Sequence, residues 1–159
     1  MKCKALILLI FALFLSACDA NAAPATEPNL QIGNPWKSYD SMTEAIEICG
    51  LAFPLPEIVG DYTADSYRVM NGSLLEVTYR NGETEITVRM QAGDDPDISG
   101  VYETFQQIET TNQKGTSITR KQAENCLVYL VCHDGHSFSI YAASLTADGA
   151  CQELLSYIC

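Results

Sequence analysis

The sequence has little positive charge. It contains 9 lysine and arginine residues against 20 aspartate and glutamate residues, which gives a formal net charge of −11. Nucleic-acid binding depends on clustered basic side chains that neutralise phosphates, so this composition argues against a nucleic acid as partner. The acidic residues are expected to form a solvated surface that keeps the domain soluble, and a cationic ligand or a divalent metal is a compatible alternative.

The sequence also lacks the short motifs that mark common chemistries. It has no P-loop, no dinucleotide-binding glycine pattern and no G-x-S-x-G nucleophile elbow, and it contains only two histidines and one tryptophan. No internal repeat suggests a solenoid. We therefore expect a domain that binds or senses a ligand without catalysis. An uncharacterised envelope enzyme is kept as an alternative.

No apolar run is long enough to cross a membrane. The longest, from Ala5 to Ala17, would form about 20 Å of helix, whereas a bilayer core needs about 30 Å. Lys2 and Lys4 precede this run, and small residues follow it up to Cys18. The order of a positive start, a short apolar run and small residues predicts a secretory signal.

The segment Leu15-Ser16-Ala17-Cys18 resembles the lipobox of bacterial lipoprotein signals. The resemblance implies that residues 1–17 are removed, that Cys18 is diacylated on sulfur, and that the protein is lipid-anchored to the extracytoplasmic face of the cell membrane. Loss of Lys2 and Lys4 would bring the formal charge to −13, so the acyl chains would hold the protein at the bilayer. The alternative is an ordinary secretory signal cleaved after Ala23.

Composition divides the rest of the chain in two. Residues 18–35 are poor in large apolar side chains and carry Pro24, Pro28 and Pro35, which predicts a flexible tether behind the lipidated cysteine. Residues 36–159 are of a suitable length for one domain with one core.

Three dipeptides predict β-hairpins. Asn71-Gly72, Asn81-Gly82 and Asp134-Gly135 each separate two runs of alternating apolar and polar residues, and such pairs tolerate the positive φ angles of type I′ turns. Each meander strand should bury one face and expose the other. Apolar residues lie on both faces of the Asn125 strand, which should therefore be interior. The predicted strands are Ser66–Met70, Ser73–Arg80, Glu83–Met90, Phe105–Thr111, Thr116–Lys121, Asn125–His133 and His136–Ala142.

Two helices flank these strands. Ser41 and Glu44 form a capping box that begins the first helix, and Gly50 is suited to end it. Apolar residues at helical spacing predict a second helix over Thr146–Cys159. The predicted fold is a single α+β domain, with an antiparallel sheet of six or seven strands packed on one face by an N-terminal and a C-terminal helix.

Five cysteines remain after Cys3 and Cys18, and their pairing stays open. Two pairings are excluded because their partners would lie too far apart on one element, namely Cys126 with Cys132 and Cys151 with Cys159. A bridge from Cys49 or the last helix to the Cys126–Cys132 strand is one possibility. Free thiols are the other.

The acidic segment from Asp94 to Glu103 partly matches a calcium-binding loop. Asp95, Asp97, Ser99 and Glu103 fall at ligand positions around a central glycine, as in an EF-hand. Position 12 is Gln106, which cannot supply the bidentate carboxylate. The alternative is a capped loop in which Asp97 and Ser99 accept hydrogen bonds from nearby backbone N–H groups.

The two histidines, His133 and His136, flank the third hairpin turn and could share a zinc or copper ion. A closed zinc site needs four ligands, and Cys132 should point to the opposite face of the sheet. Exposed hairpin residues are the expected role for the pair.

The sole tryptophan, Trp36, lies where the tether ends. It could offer a platform to a ligand or pack as a plug at the start of the domain. The candidate ligand-binding residues are Trp36, Asp97, Ser99 and Tyr102.

Five segments, spread over most of the mature chain, carry a wider resemblance. They are Asn34-Pro35-Trp36, Thr43-Glu44-Ala45, Phe53 to Pro56, Asp97-Ile98-Ser99-Gly100-x-Tyr102 and Ser137-Phe138-Ser139-Ile140. Together they resemble a bacterial domain of unknown function found in Gram-positive-type envelope lipoproteins and beside anti-sigma-factor-like regions. The resemblance implies a cell-envelope location and a sensing or binding role. It brings no reaction with it.

Overall fold

A computed structural model describes residues 33–53 and 55–159. The predicted signal peptide, the lipidation of Cys18 and nearly all of the tether lie outside the described residues. A compact unit runs from Asn34 to Cys159. Among the described residues, no helix is both long enough and apolar enough to cross a membrane.

The described strands form a single antiparallel sheet. Its order is β1-β3-β4-β5-β9-β8-β7-β6, and the short β2 also pairs with β3. The α+β prediction is confirmed, with nine strands instead of six or seven, since β1 and β2 were not predicted. The strands are β1 Trp36–Tyr39, β2 Ile58–Val59, β3 Tyr62–Met70, β4 Leu74–Asn81, β5 Thr84–Ala92, β6 Gln107–Gln113, β7 Thr116–Gln122, β8 Leu127–His133 and β9 His136–Ala142.

The hairpin turns follow the predicted dipeptides with one exception. Asp134 and Gly135 both have positive φ angles of 48° and 70°, as a type I′ turn requires. The prediction for Asn81-Gly82 was wrong by one residue. Asn81 belongs to β4 and pairs with Thr84, so the turn residues are Gly82 and Glu83.

The sheet contains two meanders that meet at one pair of strands. Strands β3, β4 and β5 pair in chain order, as do β6, β7, β8 and β9. The meanders join where β5 pairs with β9, with Val88 opposite Ile140. Because β5 lies mid-sheet and β6 lies at the far edge, the connection 93–106 crosses the sheet between them.

Two helices pack on one face of this sheet. The first, α1, spans Met42–Cys49, and the second, α2, spans Asp148–Ile158 after a short 3₁₀ turn. The Ser41 hydroxyl accepts the N–H of Glu44 at 3.2 Å, which is one half of the predicted capping box. The helices and one face of β4, β5, β8 and β9 share a core. Its largest fully buried side chains include Leu75, Val77, Tyr79, Ile86, Val88, Met90, Leu127, Phe138, Ile140 and Leu154.

All five described cysteines are free thiols, which decides between the alternatives left open above. Cys151 on α2 is fully buried, and burial raises the pKa of its thiol to about 12. Cys132 is exposed on β8. A high pKa leaves little thiolate at neutral pH, so Cys151 is an inert part of the core.

Candidate ligand-binding site

The face of the sheet opposite the helices is polar across β4, β5 and β9, whereas β8 contributes the buried apolar residues Val128 and Leu130 to it. Strand register sets its side chains in rows, because Glu76 on β4 lies opposite Arg89 on β5 and Arg89 lies opposite Ser139 on β9. The next row along the strands contains Thr78, Thr87 and Tyr141. These two rows form the floor of the site.

Glu76 is the centre of a buried ion network. Only 2% of its surface is exposed, and its two carboxylate oxygens accept hydrogen bonds from Arg68 and Arg89, each Nε lying 2.9 Å away. The expectation that this strand face is wet was therefore wrong at Glu76. A buried carboxylate is stable only with charged partners, and the two guanidinium groups supply them.

Trp36 closes one side of this network. Its ring lies 5.0 Å from the guanidinium carbon of Arg68 and 5.6 Å from that of Arg89. Both distances fit cation–π contacts. Trp36 therefore packs at the start of the domain, as the plug alternative predicted, and it holds the two arginines that border the site.

The connection 93–106 is fastened to the sheet through Arg89. The Arg89 Nη1 group donates to the backbone oxygen of Ser99 at 2.6 Å and to that of Ile98 at 3.3 Å. Gly100 follows with φ of +66°, and a Cβ atom at this position would collide with Arg89. Glycine is needed here for both its backbone conformation and its size.

Asp97 organises the loop from within. Its Oδ1 accepts the N–H of Ser99 at 3.0 Å and the Ser99 hydroxyl at 2.6 Å, while its Oδ2 accepts Lys121 Nζ at 2.7 Å. Burial alone would raise the pKa of Asp97, but the hydrogen bonds from Lys121 and Ser99 outweigh it and lower that pKa. This is the capped loop expected as the alternative to a metal site.

The candidate calcium ligands serve different purposes. Asp95 Oδ1 accepts the N–H of Asp97 at 3.1 Å, Asp97 bonds Lys121, and Glu103 borders a cleft. Within residues 33–53 and 55–159, no group of three or more His, Cys, Asp or Glu side chains is placed to hold a metal ion. The geometry therefore gives calcium no support at Asp95, Asp97, Ser99 and Glu103.

A cleft of about 410 Å³ lies between this loop and the sheet. At its rim, Tyr102 is 98% exposed. A second cleft of about 280 Å³, bordered by Glu124 and Cys126, shares Glu103 and Tyr141 with the first. The first cleft is lined by Arg68, Glu76, Thr78, Glu85, Thr87, Arg89, Ser99, Gly100, Val101, Tyr102, Glu103, Ser139 and Tyr141.

The structure brings two of the four predicted ligand-binding residues to this cleft. Ser99 and Tyr102 line it, whereas Trp36 contacts two of its lining residues, Arg68 and Arg89. Asp97 is turned away toward Lys121. Sequence reasoning missed the arginines and Glu76, although opposite charges on neighbouring strands of one hairpin were a usable signal.

The histidines lie elsewhere. His133 and His136 face each other at the end of the β8–β9 hairpin, and the Phe53 ring lies edge-on to both, with centroid distances of 6.5 and 5.1 Å. His133 Nδ1 is 2.8 Å from the Thr116 hydroxyl. Phe53 also packs against Phe138 in the core, so the pair belongs to the helix-covered face.

Comparison of the chain with known protein families, with curated proteins and with solved structures finds no match. The fold and the cleft are therefore the basis for the functional argument.

Proposed function

We propose that this protein is a membrane-anchored cell-envelope lipoprotein whose domain is a non-catalytic binding or sensory module. Its ligand occupies the cleft bordered by the loop 99–103 and the polar face of β4, β5 and β9. The observation that carries the proposal is this cleft of about 410 Å³, which has the size of a small-molecule site.

The lining favours binding over reaction. Its polar groups are hydroxyls, two arginines and three glutamates, and neither histidine nor any cysteine is among the lining residues. Glu76 is committed to its arginine partners, and Glu85 pairs with Arg80 at 2.6 Å. A hydroxyl nucleophile in the cleft would lack the adjacent histidine base that usually activates it.

The exposed aromatic ring at the rim also favours binding. A fully exposed tyrosine leaves an apolar ring in water, and aromatic side chains with a polar tip are enriched where proteins contact ligands and partners. Tyr102 would lose this exposure when a ligand fills the cleft.

The anchor is supported by the lipobox resemblance at Leu15–Cys18 and by the envelope-domain resemblance. We expect an alkyne fatty-acid analogue fed to the producing bacterium to label the wild-type protein and not the Cys18→Ser variant. The wild-type protein should enter the detergent phase of a cloud-point separation, whereas the variant should lose this behaviour. Equal labelling of both proteins would refute the anchor.

The role of the cleft as the binding site is tested separately, with a variant in which a large side chain fills it. Thr87 is half-buried and lines the cleft, so Thr87→Trp should fill it, while Thr111→Trp adds the same ring on the exposed strand β6. A library of small charged and polar compounds, screened by ligand-observed NMR, should contain binders of the wild-type protein. Thr87→Trp should abolish their signals and Thr111→Trp should keep them. Binders that ignore Thr87→Trp would exclude this cleft as the site.

A further inference from the structure

We propose that the cleft selects a zwitterion of dipeptide size, with its carboxylate at Arg68 and Arg89 and its ammonium group at Glu103 beside two tyrosine rings. The inference rests on the proposed function and names the ligand class of that site.

One end of the cleft carries excess positive charge. Arg68 and Arg89 share the single carboxylate of Glu76, which leaves one positive charge uncompensated in a strongly acidic protein. A guanidinium group has five N–H donors. Within the described part of the chain, Arg68 Nη1 and Arg89 Nη2 make no hydrogen bond. These donors can receive a ligand carboxylate, which suits the planar fork of arginine.

This end is held ready for a ligand. The Trp36 ring covers both guanidinium groups, Glu76 fixes their orientation, and the loop oxygen of Ser99 binds Arg89. Groups that are already fixed lose little conformational entropy when a ligand binds. The arrangement therefore provides a preformed anion site instead of two mobile surface arginines.

The other end carries negative charge and aromatic rings. Glu103 is exposed and forms no ion pair with another described residue. Glu103 and Tyr141 line the same cleft and also border the neighbouring one. Burial raises the pKa of Tyr141, and the negative charges of Cys126 and Glu103 add to the rise. With Tyr102 also on this side, an ammonium group would meet a carboxylate and aromatic faces together.

The spacing between the two rows of the cleft floor matches a short peptide. Arg89 and Thr87 are two residues apart on β5, so their rows are separated by roughly 7 Å, and Tyr141 lies opposite Thr87. Two extended residues also span about 7 Å. Ser139 lies in the row of Arg89, and Thr78 and Thr87 lie in the row of Tyr141. Of these hydroxyls, that of the half-buried Thr87 is the best placed to bond a peptide group of the ligand.

The opposite charges at the two ends of the cleft disfavour a ligand that carries only one charge. An anion without a positive group would bring negative charge beside Glu103 and Glu85, and a cation without a negative group would lie beside an excess guanidinium charge. A ligand that carries both charges satisfies both ends, whereas a ligand with one charge meets a like charge at the opposite end.

The test uses three probes that differ only in their end groups. Alanyl-alanine carries both charges, N-acetyl-alanyl-alanine lacks the ammonium group, and alanyl-alanine amide lacks the carboxylate. Each is titrated against the full lipidated protein in detergent micelles, with ¹H–¹⁵N spectra as the readout. We expect alanyl-alanine to shift the Nε resonances of Arg68 and Arg89 and the amide of Tyr102, with at least tenfold higher affinity than either capped analogue.

Two variants assign the ends. Arg68→Gln should weaken alanyl-alanine at least tenfold and leave the amide analogue unchanged. Glu103→Gln should weaken alanyl-alanine and leave the acetylated analogue unchanged. Glu103 is exposed, so its variant will fold even if Arg68→Gln does not. Glu109→Gln, on the exposed strand β6, is the matched control and should change nothing.

The outcomes separate this inference from the proposed function. Equal binding of all three probes, or no binding of alanyl-alanine at tens of millimolar, overturns the zwitterion. In the first case the cleft remains a binding site. In the second case the Thr87→Trp screen decides the proposed function independently.

Discussion

Strand β5 places two different environments on opposite faces of one sheet. Ile86, Val88 and Met90 are buried against the helices, whereas Glu85, Thr87 and Arg89 line the cleft on the other face. The same strand thus supplies the core and the candidate site through simple alternation of its side chains. The helix-covered face is held by apolar burial, and the cleft face is held by ion pairs and a fastened loop.

The difference between the faces concerns what each residue does for stability. Burial of apolar surface contributes about 25 cal/mol per Å², so the helix-covered face supplies most of the folding free energy. The charged groups of the cleft face contribute little net stability, because their desolvation offsets much of their attraction. Under the proposed function these groups serve recognition, and variants on the two faces can test this division of stability.

The largest effect is expected in the core at Phe138, which is fully buried on β9. Phe138→Ala should lower the free energy of unfolding by about 3–5 kcal/mol, measured by urea denaturation. Its neighbour Ser139 points to the cleft, and Ser139→Ala should cost under about 1 kcal/mol. Similar losses for the two variants would contradict the division between the faces.

The next effect is expected at Glu76. Glu76→Gln removes the charge that Arg68 and Arg89 share, and it should cost about 3 kcal/mol, at the low end for a broken buried pair because the arginines are partly exposed. The control Glu85→Gln breaks a surface pair with Arg80 and should cost under about 1 kcal/mol. If Glu76→Gln is as mild as the control, the network is not a fixed part of the fold.

Alanine substitutions at two glycines distinguish the cost of a positive φ angle from the cost of a steric contact. Gly82 and Gly100 have similar φ angles of 59° and 66°, but only Gly100 has a neighbour, Arg89, that an added Cβ would displace. Gly82→Ala should cost about 1 kcal/mol for its conformation, and Gly100→Ala about 2 kcal/mol because it also disturbs a charged hydrogen bond. Chemical denaturation measures both, and equal costs would show that Arg89 moves aside freely.

The smallest effect is expected at Asp97, and it depends on pH. Because its folded pKa is lowered, its contribution is fully present above the unfolded pKa of about 3.9 and is lost as pH falls through the folded value. Asp97→Asn should cost about 1 kcal/mol at pH 7, discounted for its partial exposure, and progressively less as pH falls through the folded pKa. Asp94→Asn, which alters an exposed neighbour, is the control. A pH-independent loss would exclude the ion pair with Lys121 as the cause.

Local sequence signals predicted the hairpins and helices, because turn dipeptides and capping residues act within a few positions. They could not predict that β5 pairs with β9, since about fifty residues separate these strands. The edge strand β1 is short and directly follows the predicted tether, and it is held by pairing with β3, where Trp36 lies opposite Met70. Pairings between strands that are distant in the chain are not determined by the local secondary-structure propensity of each segment.

The site was missed for a specific geometric reason. A turn at Asn81-Gly82 would have placed Glu76 opposite Thr87, whereas the observed turn at Gly82-Glu83 places Glu76 opposite Arg89. A shift of one residue in the turn therefore concealed the central ion pair. Ser99 and Tyr102, which line the cleft, were predicted because they belong to the Asp97–Tyr102 segment of the wider resemblance.

The junction between β5 and β9 gives the sheet a seam. On either side of it, strands that follow each other in the chain also pair with each other. Each half is therefore a meander, and the pairing of β5 with β9 joins the two halves. Arg89 and Tyr141 stand on opposite sides of the seam. A ligand bound between them would contact both halves of the sheet. Its binding would therefore stabilise the pairing of β5 with β9 against separation.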